Sequence, residues 1–165
     1  MIHHFSLAAK EPQRVATAIA ALWRGCALPF PPVAKGSWVA FADDARNTTI
    51  EVYPHGTEIH PGEGDADAVA EPSPQPRAFS ASHAAVASPL SREEIFALAE
   101  REGWLAKYRK RAGAFGVIEL WLENSFMIEV LTGEMQAEYL SFMKPDNWRT
   151  ALARFGTPPQ PRRSA

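Results

Sequence analysis

Hydrophobic and polar positions change period several times along this chain, and each change predicts an element. Residues 2–8 form a short apolar run of strand formers. After Glu11-Pro12, Val15, Ile19, Leu22 and Trp23 fall on one helical stripe, with Gly25 as the stop. Residues 27–35 hold several prolines and read as an edge strand or a loop. Strands are expected at 38–42 and 48–53, separated by the turn residues 43–47. The stretch 54–77 carries five prolines and no hydrophobic period, so it reads as a linker or a long surface loop. Its two histidines, His55 and His60, read as solvated.

The first pattern then returns. Residues 79–87 read as a strand. Ser91 and Glu94 have capping-box spacing ahead of Ile95, Leu98 and Ala99 on one helical face, and Gly103 ends that helix. Three strands follow at 104–111, 117–122 and 126–131. Met135, Tyr139, Phe142 and Met143 then make one helical stripe, and Trp148, Leu152 and Phe155 make another. The chain reads as an α+β fold: a first βαβββ module (1–57), a linker (58–78), a second βαβββ module (79–132), C-terminal helices (133–157) and a disordered tail (158–165).

The halves repeat in chemistry as well as in pattern. His4 lies in the first strand and Glu51 in the last strand of the first half. His83 and Glu129 hold the same places in the second half. The separations are 47 and 46 positions, and Ile50-Glu51-Val52 is matched by Ile128-Glu129-Val130. Alternation along a strand turns each glutamate away from its apolar neighbours, so each half can offer one His and one Glu on the face opposite its helix. Glu129 shares that face with Met127 and Leu131, and a charge in apolar surroundings needs a partner, for which a divalent cation is the strongest candidate.

Composition narrows the classes. The 165 residues are 46% hydrophobic and 22% charged, as in a globular protein with a core of its own. A formal charge of −2 gives no electrostatic reason to bind nucleic acid, and no apolar run is long enough for a membrane span. Cys26 is the only cysteine, which excludes an intrachain disulfide and fits a cytoplasmic location. It reads as a structural residue near a helix end.

With its paired His and Glu positions, and with His4-Phe5-Ser6-Leu7 ahead of Glu11-Pro12, the sequence resembles the vicinal oxygen chelate superfamily over residues 2–132. That group includes glyoxalase I, extradiol dioxygenases and bleomycin- and fosfomycin-resistance proteins. The resemblance implies two βαβββ modules forming a cupped mixed sheet. It also implies one divalent metal ion (Zn, Ni, Fe, Mn or Co) held by His4, Glu51, His83 and Glu129. The two-His, two-Glu set is most similar to glyoxalase I and implies a lyase or isomerase acting on a small substrate chelated through adjacent oxygens. Glu129, or Glu51, would then act as general base with a raised pKa. The alternatives are a small-molecule-sequestering protein of the bleomycin-resistance type and an Fe(II) extradiol dioxygenase-like enzyme. The modules would close one cup within a chain or exchange across a homodimer.

Other polar residues have plainer readings. His3 is expected to be packed or at an edge. Glu119 and Glu123 read as a solvated sheet edge, and Lys107, Arg109 and Arg111 as an exposed charged face that blunts edge pairing. Ser6 and Ser82 lie near the proposed ligands without signs of an activated nucleophile. Trp38, Trp121 and Tyr53 are candidates to line an apolar pocket.

Overall fold

A computed structural model describes residues 2–154. The expected tail and Phe155 lie outside the described residues. The first module begins with strand β1 (His4–Ala9) and helix α1 (Pro12–Trp23). Strands β2 (Cys26–Pro29), β3 (Trp38–Phe41) and β4 (Thr49–Pro54) complete it. Its sheet runs β1-β4-β3-β2, with β1 and β4 parallel and the remaining pairs antiparallel. The parallel pair follows from α1, which carries the chain across the sheet and lets β1 and β4 lie side by side.

The second module consists of β7 (Ala84–Ala87), α2 (Arg92–Glu102), β8 (Leu105–Arg111), β9 (Phe115–Leu122) and β10 (Phe126–Leu131). Its order, β7-β10-β9-β8, and its one parallel pair repeat the first sheet. The repeat seen in the sequence is therefore a repeat of topology. Helices α3 (Gly133–Phe142) and α4 (Pro145–Arg154) follow. Phe115 packs against Tyr139 and Phe142 of α3, and Trp148 of α4 meets Phe142 edge-on.

Helix limits follow local chemistry. Ser91 caps α2 through its side chain, and Glu94 returns the bond in a complete capping box. Helix α1 stops at Arg24, which takes the left-handed conformation one residue before the expected Gly25. Gly25 is needed for a different reason: a Cβ there would stand 1.9 Å from the Phe41 carbonyl oxygen.

Two expectations change. The 54–77 stretch is not structureless, because β5 (Thr57–His60) and β6 (Val69–Pro72) pair as a separate antiparallel hairpin. Four residues per strand are too few to show a period, which is why the prolines dominated the sequence pattern. The strand expected at 79–87 is confined to its last four residues. Ahead of it the Ser80 hydroxyl accepts the Ser82 backbone N–H, a local bond that competes with a sheet ladder.

One apolar core runs through both modules, with Val15, Ile19 and Leu22 of α1 and Ile95 and Leu98 of α2 in the same cluster as the helix-facing strand residues. Polar contacts lock the modules together. Arg14 reaches both the carboxylate and the backbone carbonyl of Glu102. Burial opposes charge on Glu102, but the hydrogen bonds from Arg14 and Arg101 outweigh it and hold the carboxyl below its ordinary range. The Ser88 hydroxyl donates to the Leu22 carbonyl, and the Trp23 indole N–H donates to that of Ala87.

Candidate functional site

The face of each sheet away from its helix carries the residues singled out by the repeat. In the first sheet β1 and β4 run in register His4↔Thr49 and Ser6↔Glu51. His4 is therefore diagonal to Glu51, two residues away along the strand. Ser6 is the residue directly beside Glu51. Its hydroxyl donates to the Glu51 carboxylate at 3.0 Å, and the Tyr53 hydroxyl donates to the same oxygen. Burial, reinforced by Glu51, pushes the Tyr53 phenol up to about 12.

In the second sheet Glu129 lies beside Ala85, so His83, one residue before β7, has the same diagonal relation to it. The neighbours differ. Across the β9–β10 register Glu129 faces Glu119, and Glu119 faces Lys107 of β8. Two facing carboxylates repel unless a cation joins them. Arg111 supplies it. Its Nε donates to Glu129 at 2.9 Å, its Nη2 contacts the same carboxylate, and Nη2 also lies 2.8 Å from Glu119. The hydrogen bond to Glu129 holds the Arg111 guanidinium still further above its ordinary pKa. Glu129 is 8% exposed, so the carboxylate end of this ion pair is shielded from water while the Arg111 end is partly exposed.

These placements revise three of the plainer readings. Arg111 is not merely an exposed edge charge but the partner of both carboxylates. Glu119 belongs to that cluster and not to a solvated edge. Glu123 sits in the β9–β10 turn and accepts the backbone N–H groups of Lys10 and Glu11, at 2.7 Å each, where α1 begins. The signal for Arg111 was present in the alternation of Lys107, Arg109 and Arg111. It needed the Ala112-Gly113 turn to set the β8–β9 register, which puts those side chains on the face of Glu119.

His4 and His83 lie in a different place. Both line a cleft of about 980 Å³ between the modules. Phe5, Trp23, Val86 and Tyr139 give it apolar walls, while Asp44 and Arg46 stand on its β3–β4 side. Asp44 shapes that loop. Its carboxylate accepts from the backbone and hydroxyl of Thr48 and from the backbone of Arg46, which holds it below the ordinary carboxylate range. Trp23, rather than Trp38, Trp121 or Tyr53, is the tryptophan in the cleft wall. His3 is exposed beside the edge strand β1, the second of its expected readings, with Nδ1 3.1 Å from the Arg46 carbonyl oxygen.

The four expected metal ligands can be tested on this geometry. Among the described residues, no three His, Cys, Asp or Glu side chains are grouped so as to hold an ion. Glu51 is taken by Ser6 and Tyr53, and Glu129 by Arg111. His83 has Nδ1 3.1 Å from the Ala81 carbonyl oxygen. The donor set in this arrangement does not fit a metal ion. No helix among the described residues is long and apolar enough to cross a membrane.

No protein-family model matches the sequence, and no curated protein matches it. Solved structures do. A lactoylglutathione lyase from Agrobacterium tumefaciens aligns with a TM-score of 0.50 at 11% identity, over 81% of this chain and 94% of that one. The fosfomycin resistance protein FosX from Mesorhizobium loti aligns at 0.48 and 11% identity, over 83% and 94%. The trypanothione-dependent glyoxalase I of Leishmania major aligns at 0.46 and 13% identity, over 94% and 97%.

Proposed function

The chain has the vicinal oxygen chelate fold, and we propose that it uses that fold to bind a small molecule in the cleft between its modules. The observation that carries this reading is the cleft itself. Its volume, about 980 Å³, is that of a small-molecule site, and residues of both modules line it. Phe5, Trp23, Val86 and Tyr139 suit an apolar or aromatic ligand body. His4, His83 and Arg46 suit polar substituents on that ligand. This is the sequestering alternative raised by the sequence, here assigned to the module junction.

The test is a titration with a panel of aromatic carboxylic acids and phenols, followed by intrinsic tryptophan fluorescence. A saturable change that disappears in Trp23→Phe, with affinity lowered about tenfold in His83→Ala, is the expected result. A panel with no saturable member, or saturation indifferent to both substitutions, would sink it.

One observation favours a second reading, a metal-dependent lyase or isomerase holding its ion through His4, Glu51, His83 and Glu129. The diagonal His–Glu relation is the same in both sheets. That reading requires Glu51 and Glu129 to leave their present partners and the four side chains to converge, within one chain or by module exchange across a homodimer. Elemental analysis of untagged protein separates the readings. One divalent metal per chain, lost in His83→Ala, selects the enzyme; none after reconstitution at neutral pH leaves the binder.

A further inference from the structure

The Glu119–Glu129 face of the second sheet already contains a cation. Glu119 and Glu129 face each other on neighbouring strands, and their side chains are only 14% and 11% exposed. Such a pair needs positive charge, from a proton, a metal ion or a basic side chain. Arg111 starts from the far end of β8, where its backbone partner is Phe115, and returns along the sheet to reach Glu119, four residues on. Its planar guanidinium places Nε and Nη2 on one Glu129 oxygen while Nη2 also meets Glu119. Arg109 adds a second positive group 3.9 Å from Glu119. Two carboxylates thus meet two guanidinium groups, and no negative charge is left over to attract a dication.

The first sheet shows what the arrangement replaces. There Val39 stands where Glu119 stands in the second, and Leu28 where Lys107 stands. Among the described residues, the groups that donate to Glu51 are the hydroxyls of Ser6 and Tyr53. We propose that Arg111 is the resident cation of the second module's site, occupying by its guanidinium the carboxylates that a divalent metal would otherwise take. Arg111 and a metal at Glu129 are then mutually exclusive, and removing the arginine uncovers a latent cation site at the Glu119–Glu129 carboxylate pair. A carboxylate pair is a hard oxygen donor set suited to manganese.

The experiment titrates Mn²⁺ into the full chain and follows the loss of the free-ion electron paramagnetic resonance signal. Wild type and Glu129→Gln are expected to bind equally weakly. Arg111→Ala should bind at least about tenfold more tightly than wild type, and the double variant Arg111→Ala/Glu129→Gln should return to the wild-type value. Stoichiometric binding by wild type that Glu129→Gln abolishes would overturn the proposal, as would a folded Arg111→Ala protein with no gain. If Arg111→Ala fails to fold by circular dichroism, wild type against Glu129→Gln decides alone: equality upholds the proposal and a loss refutes it. Ligand binding in the inter-module cleft is read separately by fluorescence, so either idea can fail without the other.

Discussion

The two sheets share strand order, register and the placement of one His and one Glu, yet they treat the glutamate in opposite ways. Glu51 is half-buried and held by two neutral donors from its own neighbourhood, Ser6 and Tyr53. Glu129 is buried and held by a charge brought from the opposite edge of the sheet. A single residue difference at the facing position accounts for most of this. Val39 adds nothing to the negative charge beside Glu51, whereas Glu119 doubles it beside Glu129. A repeated backbone fixes where a side chain stands. The residues on adjacent strands decide whether it can be spared for chemistry.

The largest effect should come from breaking the charged side of this comparison. Arg111→Ala leaves two shielded carboxylates without their main partner and should lower stability by about 2 kcal/mol, the partial exposure of the arginine reducing the full cost of an orphaned pair. Urea unfolding checks this; a change under about 0.5 kcal/mol would mean that water already screens the cluster.

Next is the turn that leads from β9, which carries Glu119, to β10, which carries Glu129. Glu123→Ala removes the acceptor of two backbone N–H groups at the start of α1 and should cost about 1–2 kcal/mol, as loss of a helix cap does. A shift in the urea midpoint with unchanged slope is the expected signature.

The smallest effects belong to the neutral side. Ser6→Ala should cost less than about 1 kcal/mol. Tyr53 is better tested by pH. Its phenol is raised in the folded protein from 10.0 to about 12, so the folded state favours the protonated form. That stabilisation is complete below pH 10 and is lost as pH rises toward 12. Tyr53→Phe should remove this part of the alkaline destabilisation, measured as thermal midpoint against pH, and the wild-type tyrosinate absorbance should keep one group titrating late. A Tyr53→Phe protein that weakens with alkali as steeply as wild type would contradict the buried Tyr53–Glu51 pair.

Much of the architecture was legible from the residues because helices and sheet faces leave long-range periodicity. The α1 stripe, the Ser91–Glu94 box and the paired Ile-Glu-Val strands are each visible in one short window. The hairpin at 57–72 was not legible, since its strands are shorter than any reliable period. The site was half legible. Alternation led to the expectation of Glu51 and Glu129 on the faces away from the helices, and the register sets Ser6 beside Glu51 and Glu119 beside Glu129. What alternation within one strand does not contain is the identity of the cross-strand neighbour. Ser6 beside Glu51 appears only when two strands are aligned, the reach of Arg111 to Glu129 only when three are, and Trp23 in the cleft only when two modules are. Contacts separated by dozens of residues leave no local pattern.

The hairpin also changes how the chain's continuity should be viewed. The modules are held by Arg14 to Glu102, Ser88 to Leu22, Trp23 to Ala87 and Glu123 to the start of α1. None of these bonds involves residues 57–72. The covalent connection and the non-covalent seam are therefore independent features. Opening the backbone at Gly64, where φ is +62° and nothing lies within 4 Å of a built Cβ, would leave every bond of that seam in place. The seam between the modules is thus held by bonds that do not run through the hairpin, and a cut at Gly64 would separate the chain into two pieces without crossing any of them.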